Sequence, residues 1–204
     1  MAIISLIEKR GSVYRLYTDG RLLTAVDRAS FERAPLHEGD EVDEEKFLEA
    51  LARAQEKSAY EAALTALDRS AKTELALRRW LAQRGYLDGA IETALARLRR
   101  ARLIDDGAIA ERLTEAGAAG GMSKIAIKRK LRMKGVGEEE IESALEVVSD
   151  EDQLQSAKRL AQKLYPRYTQ EERRAARAKL SQALARRGFS WDVIAQALEG
   201  LFED

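Results

Sequence analysis

Three similar stretches of this 204-residue sequence decide its fold: residues 73–85 read TELALRRWLAQRG, residues 123–135 read SKIAIKRKLRMKG and residues 176–188 read ARAKLSQALARRG. When the three final glycines are aligned, apolar residues recur eight and four positions before each of them. Residues spaced by four lie on one face of an α-helix. Each stretch therefore predicts an amphipathic helix that ends at its glycine, where a left-handed backbone closes the helix.

A second helix is predicted after each glycine, because another apolar pair follows six and ten positions later. These pairs are Ile91 and Leu95, Ile141 and Leu145, and Ile194 and Leu198. Thr73 and Ser123 are predicted N-caps of the first helices, since a hydroxyl can accept a hydrogen bond from a free backbone N–H. A further helix precedes each pair, at residues 58–67, 105–115 and 151–165. The repeat is thus a three-helix unit of about fifty residues that occurs three times in tandem.

The first forty residues read as strands instead. Residues 3–8, 13–18 and 22–26 are rich in apolar residues, and Asp19-Gly20 between the last two is a strong hairpin signal. We expect a three-stranded antiparallel sheet, then a short helix within residues 26–34. Asp43 is predicted to cap a helix that breaks near residues 57–58.

These observations predict a mostly α protein: three tandem three-helix repeats in an elongated array, with a small N-terminal antiparallel β region. The predicted divisions are a β-hairpin region, a connecting helix and repeats 1, 2 and 3, at residues 1–42, 43–65, 58–104, 105–150 and 151–204. Trp80 and Trp191 are predicted to pack in the core or between repeats.

The composition excludes several classes of function. The chain has no cysteine, which removes disulfides, cysteine zinc sites, iron–sulfur clusters and thiol nucleophiles, and it has one histidine, His37, in a polar connector. We assign no catalytic residue, metal or cofactor, and we expect a protein that is not an enzyme. Without an apolar run long enough to span a bilayer or a signal peptide, a cytoplasmic protein with no membrane partner is expected.

Charge is balanced in number but segregated in sequence. The chain has 35 basic and 35 acidic residues, yet residues 123–135 and 173–188 each hold six basic residues and no acid. A basic stripe suits a polyanion or an acidic protein, and it is also the ordinary solvated face of a helix. Because the pattern recurs, we favour binding. The candidate partner- or DNA-binding residues are Arg78, Arg79, Arg84, Lys124, Lys128, Arg129, Arg132, Lys134, Arg186 and Arg187.

The repeats carry a family resemblance. Residues 73–81 followed by Gly85-Tyr86, then residues 121–125 with 131–136, and then residues 184–189 with 194–198 resemble the bacterial RecX family, regulators of the RecA recombinase. The resemblance covers residues 66–202, and its specificity comes from three repeats in the right order. Family members often have arginine around residues 117–120, where this chain is rich in glycine and alanine.

The resemblance implies a non-enzymatic regulator that binds RecA filaments on single-stranded DNA, and we expect a monomer. It implies inhibition of ATP hydrolysis, strand exchange and co-protease activity, and so restraint of recombination and the SOS response. Direct contact with single-stranded DNA is left open. Two alternatives stand beside this expectation: a helical-repeat module that binds nucleic acid by itself, and a protein-interaction scaffold without nucleic acid.

Overall fold

The computed structural model describes residues 1–202, which form two compact units. Unit 1 is Met1–Asp105, and unit 2 begins at Asp106. Unit 1 contains β1 Ala2–Arg10, β2 Val13–Thr18, β3 Arg21–Asp27, α1 Arg28–Arg33, β4 Glu41–Val42, α2 Glu44–Arg69, α3 Glu74–Ala82 and α4 Asp88–Arg100. Unit 2 contains α5 Asp106–Ala119, α6 Lys124–Lys134, α7 Glu138–Glu146, α8 Asp150–Leu164, a 3₁₀ turn at Tyr165–Arg167, α9 Arg173–Arg186 and α10 Trp191–Phe202. The mostly α prediction with a small β region is confirmed.

The N-terminal sheet is antiparallel and has the strand order β3-β2-β1-β4. Asp19 and Gly20 have φ values of 48° and 80°, as the predicted hairpin turn between β2 and β3 requires. The prediction of three strands was incomplete, because β4 pairs with the start of β1. This strand has only two residues, too few for an alternating pattern to reveal it.

The predicted helix break near residues 57–58 is wrong, since α2 runs for 26 residues without interruption. Neither glycine nor proline occurs within it, and Ser58 Oγ donates a hydrogen bond to the Gln55 carbonyl inside the helix. One helix therefore serves both as the connection from the sheet and as the first helix of repeat 1. Its second half packs on α4 through Ala59, Ala63 and Ala66.

The repeated apolar positions form the cores of the units. Both positions before each glycine are fully buried: Leu77, Leu81, Ile127, Leu131, Leu180 and Leu184. The positions after each glycine are buried too, apart from Leu145, which is half-buried while its neighbour Ala144 is buried. The helix α7 has only nine residues, and its inner face turns toward Ile141 and Ala144.

The helix boundaries follow the predicted chemistry. Thr73 Oγ1 accepts from the Ala76 N–H at 3.2 Å, and Ser123 Oγ accepts from the Ala126 N–H at 3.1 Å. Gly85, Gly135 and Gly188 have φ values of 82°, 82° and 85°.

The two tryptophans differ from each other. Trp80 packs against the core of unit 1, as predicted, whereas the prediction for Trp191 is wrong because this residue is 66% exposed. It is the first residue of α10 and therefore precedes the apolar face of that helix. Among residues 1–202, no helix combines the length and the apolar composition that a membrane crossing requires.

Candidate functional site

Some of the predicted basic site residues are engaged inside their own repeat. In unit 1, Arg78 forms ion pairs with Glu92 and, at 3.9 Å, with Glu74, and Arg99 pairs with Glu74 at 2.5 Å. The hydrogen bond from Arg78 lowers the pKa of the Glu92 carboxyl. The side chain of Arg78 is only 31% exposed, so this cation acts mainly between α3 and α4.

Unit 2 also has ion pairs between the corresponding helices, α6 and α7. Lys128 lies 3.3 Å from Glu138 and 3.9 Å from Glu142, and Arg132 binds both oxygens of Glu138 at 2.5 and 2.8 Å. The Arg132 and Lys128 hydrogen bonds lower the pKa of Glu138 to about 2.

One ion pair occurs at the same repeat positions in both units: Arg78 with Glu92 in unit 1, and Lys128 with Glu142 in unit 2. Glu92 and Glu142 both stand seven residues after the repeat glycine, and Arg78 and Lys128 both stand seven before it. The ion pair is therefore part of the repeat. In repeat 3 the same two positions are Ser181 and Ala195, so this ion pair is missing there, and Lys179 instead pairs with Glu171 at 2.5 Å.

Two further predicted residues lie in unit 1. Arg84 stacks on Trp80, with its guanidinium carbon 3.6 Å from the ring centroid, and Arg79 is exposed on α3. Stacking holds the Arg84 guanidinium against the protein surface. Both residues are exposed, Arg79 on α3 and Arg84 in the turn that follows this helix.

In unit 2, basic side chains line a groove beside α8. We call it the α8 groove, and its volume is about 390 Å³. Its described lining residues include four cations and no acid: Arg159, Lys163, Arg167 and Arg187. Gly120 and Gly121 form part of its wall, where small residues leave the cationic side chains accessible.

A second groove lies between α6 and the end of α9. This α6 groove has a volume of about 290 Å³. It too has four cations and no acid among the described residues that line it: Arg129, Lys130, Arg186 and Arg187. Ile125 and Met133 also line this groove and are 64% and 74% exposed. Arg187 belongs to both grooves, so the two form one basic surface, and we call the seven cations the basic face.

A close contact fixes the position of Arg187 beside α6. Ser123 Oγ donates a hydrogen bond to the Arg187 carbonyl at 2.6 Å and also accepts from Ala126 as the N-cap of α6. The next residue, Gly188, approaches so closely that a Cβ there would lie 2.8 Å from Ser123 Oγ and 3.1 Å from the Ile125 Cβ. The glycine turn of repeat 3 is thereby seated on the first turn of α6.

The structure thus brings together three of the predicted site residues, Arg129, Arg186 and Arg187. Lys124 and Lys134 are on α6 but do not line either groove, and the Lys124 N–H donates to Gln153 Oε1 at 2.7 Å. The sequence analysis missed four members of the basic face, which are Lys130, Arg159, Lys163 and Arg167. Arg159 and Lys163 are four residues apart on α8, a spacing that could have indicated a shared exposed stripe.

In the part of the chain that the structure describes, no cluster of three acidic or histidine side chains could hold a metal ion.

Fold and surface together define a tandem helical-repeat protein with a basic face. The repeats match three family models: the first, second and third three-helix domains of RecX, at residues 59–98, 105–145 and 150–198. The chain belongs to the RecX family.

Individual relatives agree with this assignment. The regulatory protein RecX of Limosilactobacillus reuteri is 33% identical over 95% of this chain and 74% of its own length. That of Clostridioides difficile is 25% identical over 98% of this chain and 96% of its own length. A crystal structure of a regulatory protein RecX is similar with a TM-score of 0.67 and 31% identity, over 96% of this chain and 98% of the other. The crystal structure of RecX from Lactobacillus salivarius is similar with a TM-score of 0.68 and 27% identity, over 73% of this chain and 97% of the other.

Proposed function

We propose that this protein is a non-enzymatic regulator that binds RecA filaments assembled on single-stranded DNA and inhibits their activities. Membership of a family whose proteins are named regulatory protein RecX supports this proposal. Inhibition would extend to ATP hydrolysis, strand exchange and co-protease activity, and would restrain recombination and the SOS response.

The observation that carries the proposal is the basic face of unit 2. Six of its seven cations are exposed, Lys130 is half-buried, and no described residue that lines its two grooves is acidic. A filament on DNA offers phosphates and protein carboxylates, and both pair with arginine and lysine. Cations that are not neutralised within the fold lose little internal pairing when they bind such a partner.

In the mechanism that we propose, the basic face pairs with the filament and holds its subunits in one conformation. ATP hydrolysis slows because the subunits no longer change conformation between cycles. The protein contributes no catalytic group, and every step is a change in binding equilibrium.

The test is the RecA ATPase on single-stranded DNA, with this protein titrated below one molecule per RecA subunit. We expect progressive inhibition by the wild type. The charge-reversal variant Arg159→Glu/Lys163→Glu/Arg167→Glu should need at least about tenfold more protein for the same inhibition. A matched control, Arg53→Glu/Lys57→Glu/Arg69→Glu, changes three exposed cations of unit 1 and should behave like the wild type. If both variants lost inhibition of the RecA ATPase to the same extent, a specific role for the basic face would be refuted.

The second candidate is a module that binds nucleic acid without RecA, and the α8 groove favours it because its charged lining suits phosphates. Fluorescence anisotropy with labelled oligo(dT) tests this candidate. Tight binding to DNA alone, with no effect on the ATPase, would replace the first proposal with the second. If the protein bound neither RecA filaments nor DNA, the remaining candidate would be a protein-interaction scaffold without nucleic acid.

A further inference from the structure

The α6 groove differs from the α8 groove in its exposed apolar residues. Ile125, Arg129 and Met133 are each four residues apart on α6 and so share one helix face. Ile125 and Met133 expose about two thirds and three quarters of their surface and line the same basic groove, where together they form a small apolar strip. This strip lies between the cations of α6 and those at the end of α9.

The chemistry of this strip does not suit DNA. Single-stranded nucleic acid is bound by aromatic platforms beside cations, and the described lining of the α6 groove has no aromatic residue. An isoleucine and a methionine gain nothing from phosphates, but they pack well on apolar side chains, and methionine adapts to irregular ones.

The geometry suits a short helix. From Ile125 to Met133 the strip is about 12 Å long, because a helix rises 1.5 Å per residue, and this length matches about two turns of a partner helix. A helix that docks in a groove presents apolar residues at positions such as i and i+4. Four cations around the strip select acidic residues on both sides of those anchors.

We propose that the α6 groove binds an acidic amphipathic helix from the protein subunits of the filament, and that DNA is not its ligand. This inference rests on the function proposed above and assigns the protein contact to one groove. Apolar anchors of the partner cover Ile125 and Met133, while its carboxylates pair with Arg129, Arg186 and Arg187. The seating of Gly188 on Ser123 keeps the two basic walls at a fixed spacing.

The test compares Ile125→Ser/Met133→Ser with Arg159→Gln/Lys163→Gln. Two readouts are measured with purified full-length protein: binding to immobilised RecA without DNA, and binding to labelled oligo(dT) without RecA. We expect the first variant to bind RecA about tenfold more weakly and to keep its affinity for oligo(dT) within about twofold. The second variant should lose more affinity for oligo(dT) than for RecA, or should lose less affinity for RecA than the first variant does.

Two controls keep the result clear. Both apolar residues are exposed, so the unfolding midpoint of Ile125→Ser/Met133→Ser should equal that of the wild type, and Ile125→Leu/Met133→Leu should keep full RecA binding. If wild type binds RecA and the serine variant binds it equally well, the groove assignment is wrong while the proposed function stands. If wild type binds neither RecA nor its filaments, both fail. If the serine variant lost as much affinity for oligo(dT) as for RecA, the groove would be a DNA-binding site.

Discussion

Unit 1 and unit 2 contain versions of the same repeat, and each is neutral in net charge, with 18 basic and 18 acidic residues in the first and 17 of each in the second. Both seat a repeat glycine against another part of the unit. In unit 1 the strand end at Val26 and Asp27 covers Gly85, and in unit 2 the start of α6 covers Gly188. The same local sequence is thus used to dock a sheet in one case and a helical repeat in the other.

The difference lies in the polar groups around the two contacts. In unit 1, the buried Gln55 donates to Asp27 Oδ2 at 2.7 Å and to the Gly85 carbonyl at 2.8 Å, and accepts from the Leu87 N–H at 2.9 Å. In unit 2, a single serine makes the contact, and basic residues stand around it. Unit 1 therefore surrounds its contact with hydrogen bonds inside the fold, whereas unit 2 leaves exposed cations beside its contact, where we propose that a partner binds. This contrast can be tested by paired substitutions.

The largest effect is expected at Gly85. A Cβ there would lie 2.6 Å from two backbone atoms of Val26 and Asp27, and alanine would also have to adopt a φ of +82°. Gly85→Ala should lower the free energy of unfolding by at least about 3 kcal/mol, since the backbone clash adds to a left-handed cost of about 1–2 kcal/mol. Urea denaturation monitored by circular dichroism measures it.

Alanine substitutions at two other glycines separate the backbone clash from the left-handed cost in the free energy lost by Gly85→Ala. Gly121 has a similar positive φ of 74° but open space where a Cβ would lie, so Gly121→Ala should lose only the free energy that a left-handed backbone costs an alanine. Gly188→Ala meets the Ser123 hydroxyl, which can rotate, and the Ile125 Cβ at 3.1 Å, which needs only a small shift, so its loss should fall between the other two. If Gly85→Ala costs no more than Gly121→Ala, the strand does not seat on this turn.

The next effect distinguishes the two buried glutamines. Gln55→Leu removes three hydrogen bonds and leaves a buried carboxylate oxygen of Asp27 without its donor, so we expect a loss of about 3 kcal/mol in stability. Gln153 in unit 2 makes one hydrogen bond, to the Lys124 N–H, and its buried amide nitrogen has no partner. Gln153→Leu should therefore cost about 1 kcal/mol. Thermal unfolding of both variants gives the comparison, and equal losses would contradict it.

Much of this contrast could not be predicted from the sequence. The glycine alignment predicted the buried positions because helix spacing and core burial depend on local pattern. The α8 groove depends on how α8 packs in unit 2, which no local pattern encodes, so Arg159, Lys163 and Arg167 were missed. By contrast, the ion pairs that Arg78 and Lys128 form with glutamates could have been predicted, because a glutamate stands seven residues after Gly85 and after Gly135.

A third comparison uses arginines at equivalent repeat positions. Arg79 and Arg129 both stand six residues before the glycine, and Arg84 and Arg187 directly before it. Arg129→Glu/Arg187→Glu should weaken filament binding at least about tenfold, whereas Arg79→Glu/Arg84→Glu should change it less than about threefold. Binding to RecA filaments is measured as a function of salt.

The salt dependence identifies what the unit 2 arginines contact. If they bind phosphates of single-stranded DNA, each lost arginine lowers the slope of log affinity against log salt by about 0.7. If they bind protein carboxylates, affinity for the filament falls while binding to bare oligo(dT) keeps its slope. Similar losses from the unit 1 and unit 2 variants would mean that both units contact the filament, and the contrast between them would disappear.

The smallest effect is the pH dependence of the ion pairs that join α3 to α4 and α6 to α7. Glu138 has a folded pKa of about 2 against an ordinary value of 4.5, because Arg132 and Lys128 donate to it. A carboxyl whose pKa is lowered by folding stabilises the protein fully above the ordinary value and loses that contribution as pH falls toward the folded value. The advantage of wild type over Glu138→Gln in thermal unfolding should therefore be constant near neutral pH and shrink between about pH 4.5 and 2.

Glu92 in unit 1 gives a comparison, because Arg78 stands at the same repeat position as Lys128 and its hydrogen bond is the chief cause that lowers the pKa of Glu92. It has one cation partner where Glu138 has two, so Glu92→Gln should show a smaller advantage over the same pH range. Both effects are small because the carboxylates are half-exposed and solvent screens them. A pH-independent difference for Glu138→Gln would mean that helix propensity or the helix dipole, and not the ion pair, distinguishes glutamate from glutamine at the start of α7.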